Sequence, residues 1–290
     1  MKTPLAILFF IASLVLGAVA RPDHPLEQRL VTVRVTSQSW NEYRPWQKNK
    51  PLTRTFIGTV IPGNRILMLS QDLNDAMLIQ VAKFDRPPNL PARIVHCDHQ
   101  VGLAIITVDE PGFFDDLEPV EIAPDTDGEN YFCATWKSGQ LSLAACRWAS
   151  ASVYGSGVPH LDYVKISFIT DLTGGGWGEP LFSDDQLVGL CTSQNDNTVR
   201  ALPAEQINAY LYAVDHKSTY PGFAWLGLRY QQNKGPAQAA YLGLTGAPTG
   251  VRVCYALPGS SAEGILNPDD ILLELDGHKV DSLGDYDHPR

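Results

Sequence analysis

Leu30-Val31-Thr32-Val33-Arg34-Val35 sets Val31, Val33 and Val35 on one face and Thr32 and Arg34 on the other. That period of two belongs to a half-buried β-strand. Similar β-branched runs recur at residues 56–61, 77–84, 92–97 and 103–108, with turn signals at Pro62-Gly63-Asn64, Pro87-Pro88-Asn89 and Asp127-Gly128. Further strands are expected at 131–136, 141–148, 163–169, 187–192 and 198–202. Many short strands at this spacing predict an all-β barrel or sandwich. A parallel α/β fold would need helices between them, and the sequence offers none. The first helical pattern is 204–214, after Pro203, with Ile207, Leu211 and Val214 on one face. A polar stretch at 215–221 then reads as a linker. Beyond it, a smaller unit carries strands near 225–230, 251–256 and 271–275.

Composition narrows the function. The chain has 290 residues, 44% of them hydrophobic, and a net charge of −10. That balance gives no basic stripe for nucleic acid and sets the chain as a whole against anionic lipid surfaces. Lys2, the apolar run 5–16 and Ala18-Val19-Ala20 have the parts of a secretory signal peptide over 1–20, so an exported, periplasmic or extracellular protein is expected. The apolar run is too short to span a bilayer. Five cysteines leave at least one unpaired within the chain. Cys133 and Cys146, on neighbouring strands, are the one pair suggested; five buried thiols are the alternative.

Three stretches carry a resemblance. Gly58-Thr59-Val60-Ile61 leads to Ile66-Leu67-Met68-Leu69-Ser70-Gln71-Asp72-Leu73-Asn74-Asp75-Ala76. Gly102-Leu103-Ala104-Ile105-Ile106-Thr107-Val108 follows, and then Gly175-Gly176-Trp177-Gly178-Glu179-Pro180-Leu181. In order and spacing they resemble the HtrA (DegP-like) family of trypsin-fold serine proteases. Trp225-Leu226-Gly227-Leu228, Pro258-Gly259-Ser260-Ser261-Ala262 and 267–280 resemble the PDZ module that follows the protease domain in that family. The resemblance implies a trypsin-like pair of six-stranded β-barrels over 21–215 and an α+β PDZ domain over 222–290. The module is expected to be incomplete at its C-terminus, as in a fragment of a longer protein.

The same alignment sets Gln71 at the family's histidine, Gly102 at its aspartate and Trp177 at its serine. A serine protease needs a hydroxyl, a base and an orienting carboxylate, and these three side chains supply none. Trp177 is expected to plug the specificity cleft, and Glu179 to place the wrong charge beside a developing oxyanion. The sequence therefore predicts a non-enzyme, a pseudoprotease without catalytic residues or cofactor. It would bind peptides or C-terminal tails of unfolded or envelope proteins through Trp225, Leu226, Gly227 and Leu228, and could assemble as a homo- or hetero-trimer with relatives. The alternative is an active endopeptidase with rearranged catalytic residues, for which Ser70 and Ser183 are the neighbouring hydroxyls. His96-Cys97-Asp98-His99 is the densest set of metal-ligating side chains, but residues 96 and 99 of a strand face opposite ways, so no metal is expected.

Overall fold

The computed structural model describes residues 24–155, 162–223, 226–233, 235–245 and 249–286. The expected signal peptide and Trp225 lie outside them. In chain order the first strands are β1 (Leu30–Ser37), β2 (Trp40–Asn41), β3 (Arg44–Lys48), β4 (Leu52–Ile61), β5 (Arg65–Leu69), β6 (Ala76–Lys83), β7 (Leu90–Pro91), β8 (Arg93–Asp98) and β9 (Leu103–Thr107). All but β2 and β3 form one antiparallel sheet in the order β7-β6-β1-β4-β5-β9-β8. Its two edges, β7 and β8, are one run of chain interrupted at Ala92, so the sheet curls back on itself in six strand-lengths. Pro91 accounts for the interruption, since proline donates nothing to a ladder. The pair β2–β3 stands apart as a two-stranded ribbon.

A second set follows: β10 (Phe132–Lys137), β11 (Gln140–Gly155), β12 (Asp162–Thr170), β13 (Pro180–Ser183), β14 (Gln186–Asn195) and β15 (Thr198–Pro203). They close into a six-stranded barrel in the order β10-β11-β12-β15-β14-β13. The all-β architecture expected from the alternation is present, and so is the trypsin-like double barrel that the resemblance implies.

Burial explains the closure. Val31, Val33 and Val35 of β1 are buried, and all five residues of β9 are. One continuous core runs from these strands through Phe56 and Met68 to Phe182, Leu190 and Leu202 of the second barrel. A separate core inside that barrel gathers Cys133, Phe168, Leu181, Cys191 and Val199. Each fully buried large apolar side chain is worth about 1.5–3 kcal/mol, so the shared core fixes the two barrels against each other. The helix α1 (Ala204–His216) adds Ile207 and Tyr210 to the shared core, with Leu211 and Val214 packed on its margin.

The stretch expected as a free linker is not free at its end. Tyr220 donates its hydroxyl to Asp98 Oδ2 at 2.6 Å, its ring centre lies 4.4 Å from that of His96, and Phe223 packs against the shared core. Polarity alone concealed this, because the anchor is a single aromatic in a polar run.

The C-terminal unit holds β16 (Leu228–Gln232), α2 (Pro236–Tyr241), β17 (Val251–Ala256), β18 (Ile271–Leu272), β19 (Glu274–Leu275) and β20 (His278–Lys279). Its sheet has the order β16-β17-β18, and β19 pairs with β20. The helix α2 went unread in the sequence. Its six residues are too few to show a helical period, although Pro236 occupies a favoured first-turn position.

Candidate functional site

Glycine 176 explains the shape of the loop at 175–179. It holds φ +104°, and a Cβ there would lie 2.7 Å from the Cα of Ser193. The chain therefore presses against β14 and turns its amides inward. Successive amides each find an acceptor. The Gly175 N–H donates to Gln194 Oε1 at 2.6 Å, and those of Gly176 and Trp177 donate to Glu179 Oε2 at 2.7 and 2.9 Å. The Gly178 N–H donates to the Cys191 carbonyl at 3.0 Å. Glu179 is only 3% exposed. Burial pushes its carboxyl pKa up, and the two amides, which favour the charged form, pull against that shift. Glu179 is thus more than a charge beside the site: its carboxylate fills an anion-binding nest built by its own loop.

Trp177 packs across the seam on strand β4. Its ring meets Phe56 edge-on at 5.7 Å and lies 5.6 Å from the guanidinium of Arg54, both on β4. Arg54 in turn pairs with Asp72 at 2.6 Å. The Ile57 N–H donates to the Trp177 carbonyl at 3.0 Å, tying the loop of one barrel to a strand of the other. Trp177 is not among the residues that line the cavity of Gln71 and Gly102. The adjacent aromatic and cation on β4 offer the indole a better partner.

That cavity, about 450 Å³, opens on the seam between the barrels. The first barrel contributes Ser70, Gln71, Asp72, Asn74, His99 and Gly102; the second contributes Tyr163, Lys165, Thr192 and Leu202. Gln71 and Gly102 therefore line one cavity, and the Ser70 N–H donates to the Gly102 carbonyl at 2.9 Å. Ser183 does not join them; its hydroxyl donates to the Glu129 carbonyl. The histidines of 96–99 part company. His96 Nδ1 lies 2.9 Å from the Tyr210 hydroxyl, whereas His99 Nε2 lies 3.3 Å from Cys97 Sγ and faces the cavity. Burial, reinforced by Asp98, pushes the Cys97 thiol up to about 11, away from reactivity. Among the described residues no three possible ligands are placed to hold a metal ion.

Sequence reasoning missed the role of Gln194 and the cysteine cluster. Cys133 Sγ lies 3.2 Å from Cys146 and 3.5 Å from Cys191, all as free thiols. The suggested partners are thus in contact, with a third that distance along the chain had hidden.

In the C-terminal unit, Leu226 is exposed and Leu228 pairs with Ala256. Gly227 holds φ +63°, where a Cβ would lie 2.0 Å from that of Ser260. No other residue fits there.

Two barrels, a shared core and a cavity on their seam define a trypsin-like fold. Comparison with known proteins finds its likeness among proteases of the HtrA and Do type. The chain is 25% identical over 240 residues to Protease Do-like 4, mitochondrial, of Arabidopsis thaliana, covering 80% of this chain and 46% of that protein. It is 24% identical over 205 residues to a serine protease DegP homolog of Plasmodium falciparum, covering 69% and 24%. It therefore spans about half, or less, of these relatives. Among solved structures, the HtrA-type protease AlgW with a decapeptide matches with a TM-score of 0.63 at 17% identity, over 90% of this chain and 86% of that one. The Rv3671c protease of M. tuberculosis in its active form matches with a TM-score of 0.52 at 20% identity, over 68% and 84%. No family model matches the chain.

These comparisons overturn the expectation of a non-enzyme, since the relatives are named as proteases and the neighbours are proteases, one in its active form. The expectation rested on Gln71, Gly102, Trp177 and the charge of Glu179. It named Ser70 only as an alternative and weighed His99 only as a metal ligand, yet both line the same cavity.

Proposed function

We propose that the chain handles extended polypeptide in the cavity between its barrels, as an HtrA-type serine endopeptidase homologue with rearranged reacting groups. The observation that carries this reading is the cavity itself, which draws polar side chains from both barrels and gathers Ser70, Gln71, His99 and Gly102. In this reading Gln71, Gly102 and Trp177 occupy the positions of the family's histidine, aspartate and serine. Hydrolysis is then assigned to Ser70 as nucleophile and His99 as base, both of which line this cavity. A solved neighbour that holds a decapeptide supports the substrate class.

Residues 222–290 are proposed to act as a PDZ module that takes C-terminal tails of unfolded or envelope proteins. Such modules add the peptide as a strand to a sheet edge and hold its carboxylate on backbone amides. Support comes from β16, an edge strand in its sheet among the described residues, and from Leu226 and Gly227 immediately before it. An extracytoplasmic location and trimeric assembly belong to the same proposal.

The test is fluorophosphonate labelling of the full chain together with cleavage of unfolded casein. Labelling lost in Ser70→Ala, with cleavage lost in His99→Ala, is the expected result. A label mapped to another serine, or neither label nor cleavage, would overturn the catalytic assignment. Binding of fluorescent C-terminal peptides, lost in Gly227→Val, tests the module separately.

A further inference from the structure

The β2–β3 ribbon presents a surface that neither the cavity nor the C-terminal unit uses. Every residue of β3 is exposed, and Trp40, Tyr43 and Trp46 are 56%, 91% and 80% exposed. Alternation sets Arg44, Trp46 and Lys48 on one face of β3. The pairing of Trp40 with Lys48 brings Trp40 to the same face, where the Lys48 ammonium lies 4.9 Å from its ring. Residues 39–52 carry Arg44, Lys48 and Lys50 against the single acid Glu42, in a chain whose net charge is −10.

We propose that this ribbon is a peripheral docking surface for an anionic lipid interface. Indole and phenol rings settle at the headgroup level, apolar body inward and N–H or O–H toward water. Lysine and arginine beside them meet lipid phosphates. The acidic body of the protein does not cancel this attraction, because charges beyond a Debye length of about 8 Å are screened. A lipid surface requires no shape match, and the mix of exposed aromatic and basic side chains on this ribbon is the one such a surface takes. The ribbon would lie on the membrane, and no described helix is long and apolar enough to cross one.

The test is co-sedimentation of the full chain with vesicles of phosphatidylcholine alone or mixed equally with phosphatidylglycerol. The expected result is recovery with the mixed vesicles only, declining as salt rises. Charge reversal in Arg44→Glu or Lys48→Glu should weaken binding by at least about fivefold each, and Trp40→Ala with Trp46→Ala should weaken it further. All four side chains sit on the ribbon, so unchanged melting temperatures will separate lost docking from lost folding. Equal recovery with both vesicle types, or indifference to the substitutions, overturns the proposal. So does tighter capture by a single-stranded oligonucleotide with the same losses, which would assign the ribbon to nucleic acid. Loss of a dimer in these variants without vesicle binding would assign it to a second copy of the chain.

Discussion

Glu179 Oε2 accepts from the Gly176 amide at 2.7 Å and from the Trp177 amide at 2.9 Å. Two consecutive backbone donors converging on one oxygen make a site for an anion, and this loop fills it with its own carboxylate. The arrangement couples the loop's conformation to the protonation of one buried side chain.

Glu179→Ala should therefore destabilise the fold by about 2–4 kcal/mol, since two buried donors lose their partner. Glu179→Gln keeps an acceptor oxygen of the same reach and should cost less. Burial holds the Glu179 pKa above its ordinary value, so the folded state takes up its proton more readily than the unfolded chain. The linked stability is fully present below the unfolded value of about 4.3 and is lost as pH rises through the folded value. Urea unfolding across that window should show the slope in the wild type and its loss in Glu179→Gln. The same slope in both proteins would remove the assignment.

Trp177→Ala should lower the melting temperature, by an amount equivalent to about 1–3 kcal/mol. Full burial of such a ring would predict more, but Trp177 is only half-buried. The loss comes from the edge contact with Phe56 and the cation–π contact with Arg54. An unchanged or raised melting temperature would mean that the indole does not brace the seam.

The strands were legible because their signal is local. Val31, Val33 and Val35 declare a buried face within six residues, and β10, β12, β14, β15 and the first half of β11 follow from turn and alternation alone. The four residues of β13 are too few to show a period. What stayed hidden depends on contacts distant in sequence. Nothing near Trp177 says that its ring will prefer Phe56, more than a hundred positions earlier, to the cavity beside Gln71. Glu179 could be read as a charge near an oxyanion site, but its direct hold on the loop amides required the positive φ of Gly176. Cys133 and Cys146 could be paired from neighbouring strands. Cys191 joins them only because the barrel closes β13 between β10 and β14.

Tyr220→Phe should cost about 1–2 kcal/mol, because it removes a hydroxyl donor from a buried carboxylate. Asp98 keeps two other donors, the amides of Gln100 and Val101 at 2.7 and 3.1 Å, so the β8–β9 turn should survive. The expected change is faster proteolysis within residues 217–223, measured by limited digestion and mass spectrometry. Cleavage at the wild-type rate would show that the Tyr220 hydrogen bond does not anchor this segment.

Cys133 stands between Cys146 and Cys191 and is the shared partner of any disulfide in the second barrel. Cys146, the half-buried member, is the point of entry, and its thiol pKa is raised by its hydrogen bond to Cys133 and by burial. With oxidised glutathione, the Cys146 thiolate would attack one sulfur and release a glutathione thiolate. The Cys133 thiolate would then displace the second glutathione and close the internal bond. Raised thiol pKa values keep the thiolate scarce at neutral pH, so the rate should climb about tenfold per pH unit through the alkaline range. Mass spectrometry should find one internal disulfide in the wild type and in Cys191→Ala, but only the mixed disulfide in Cys133→Ala. A mixed disulfide that persists in the wild type would show that the barrel holds these sulfurs too rigidly to join.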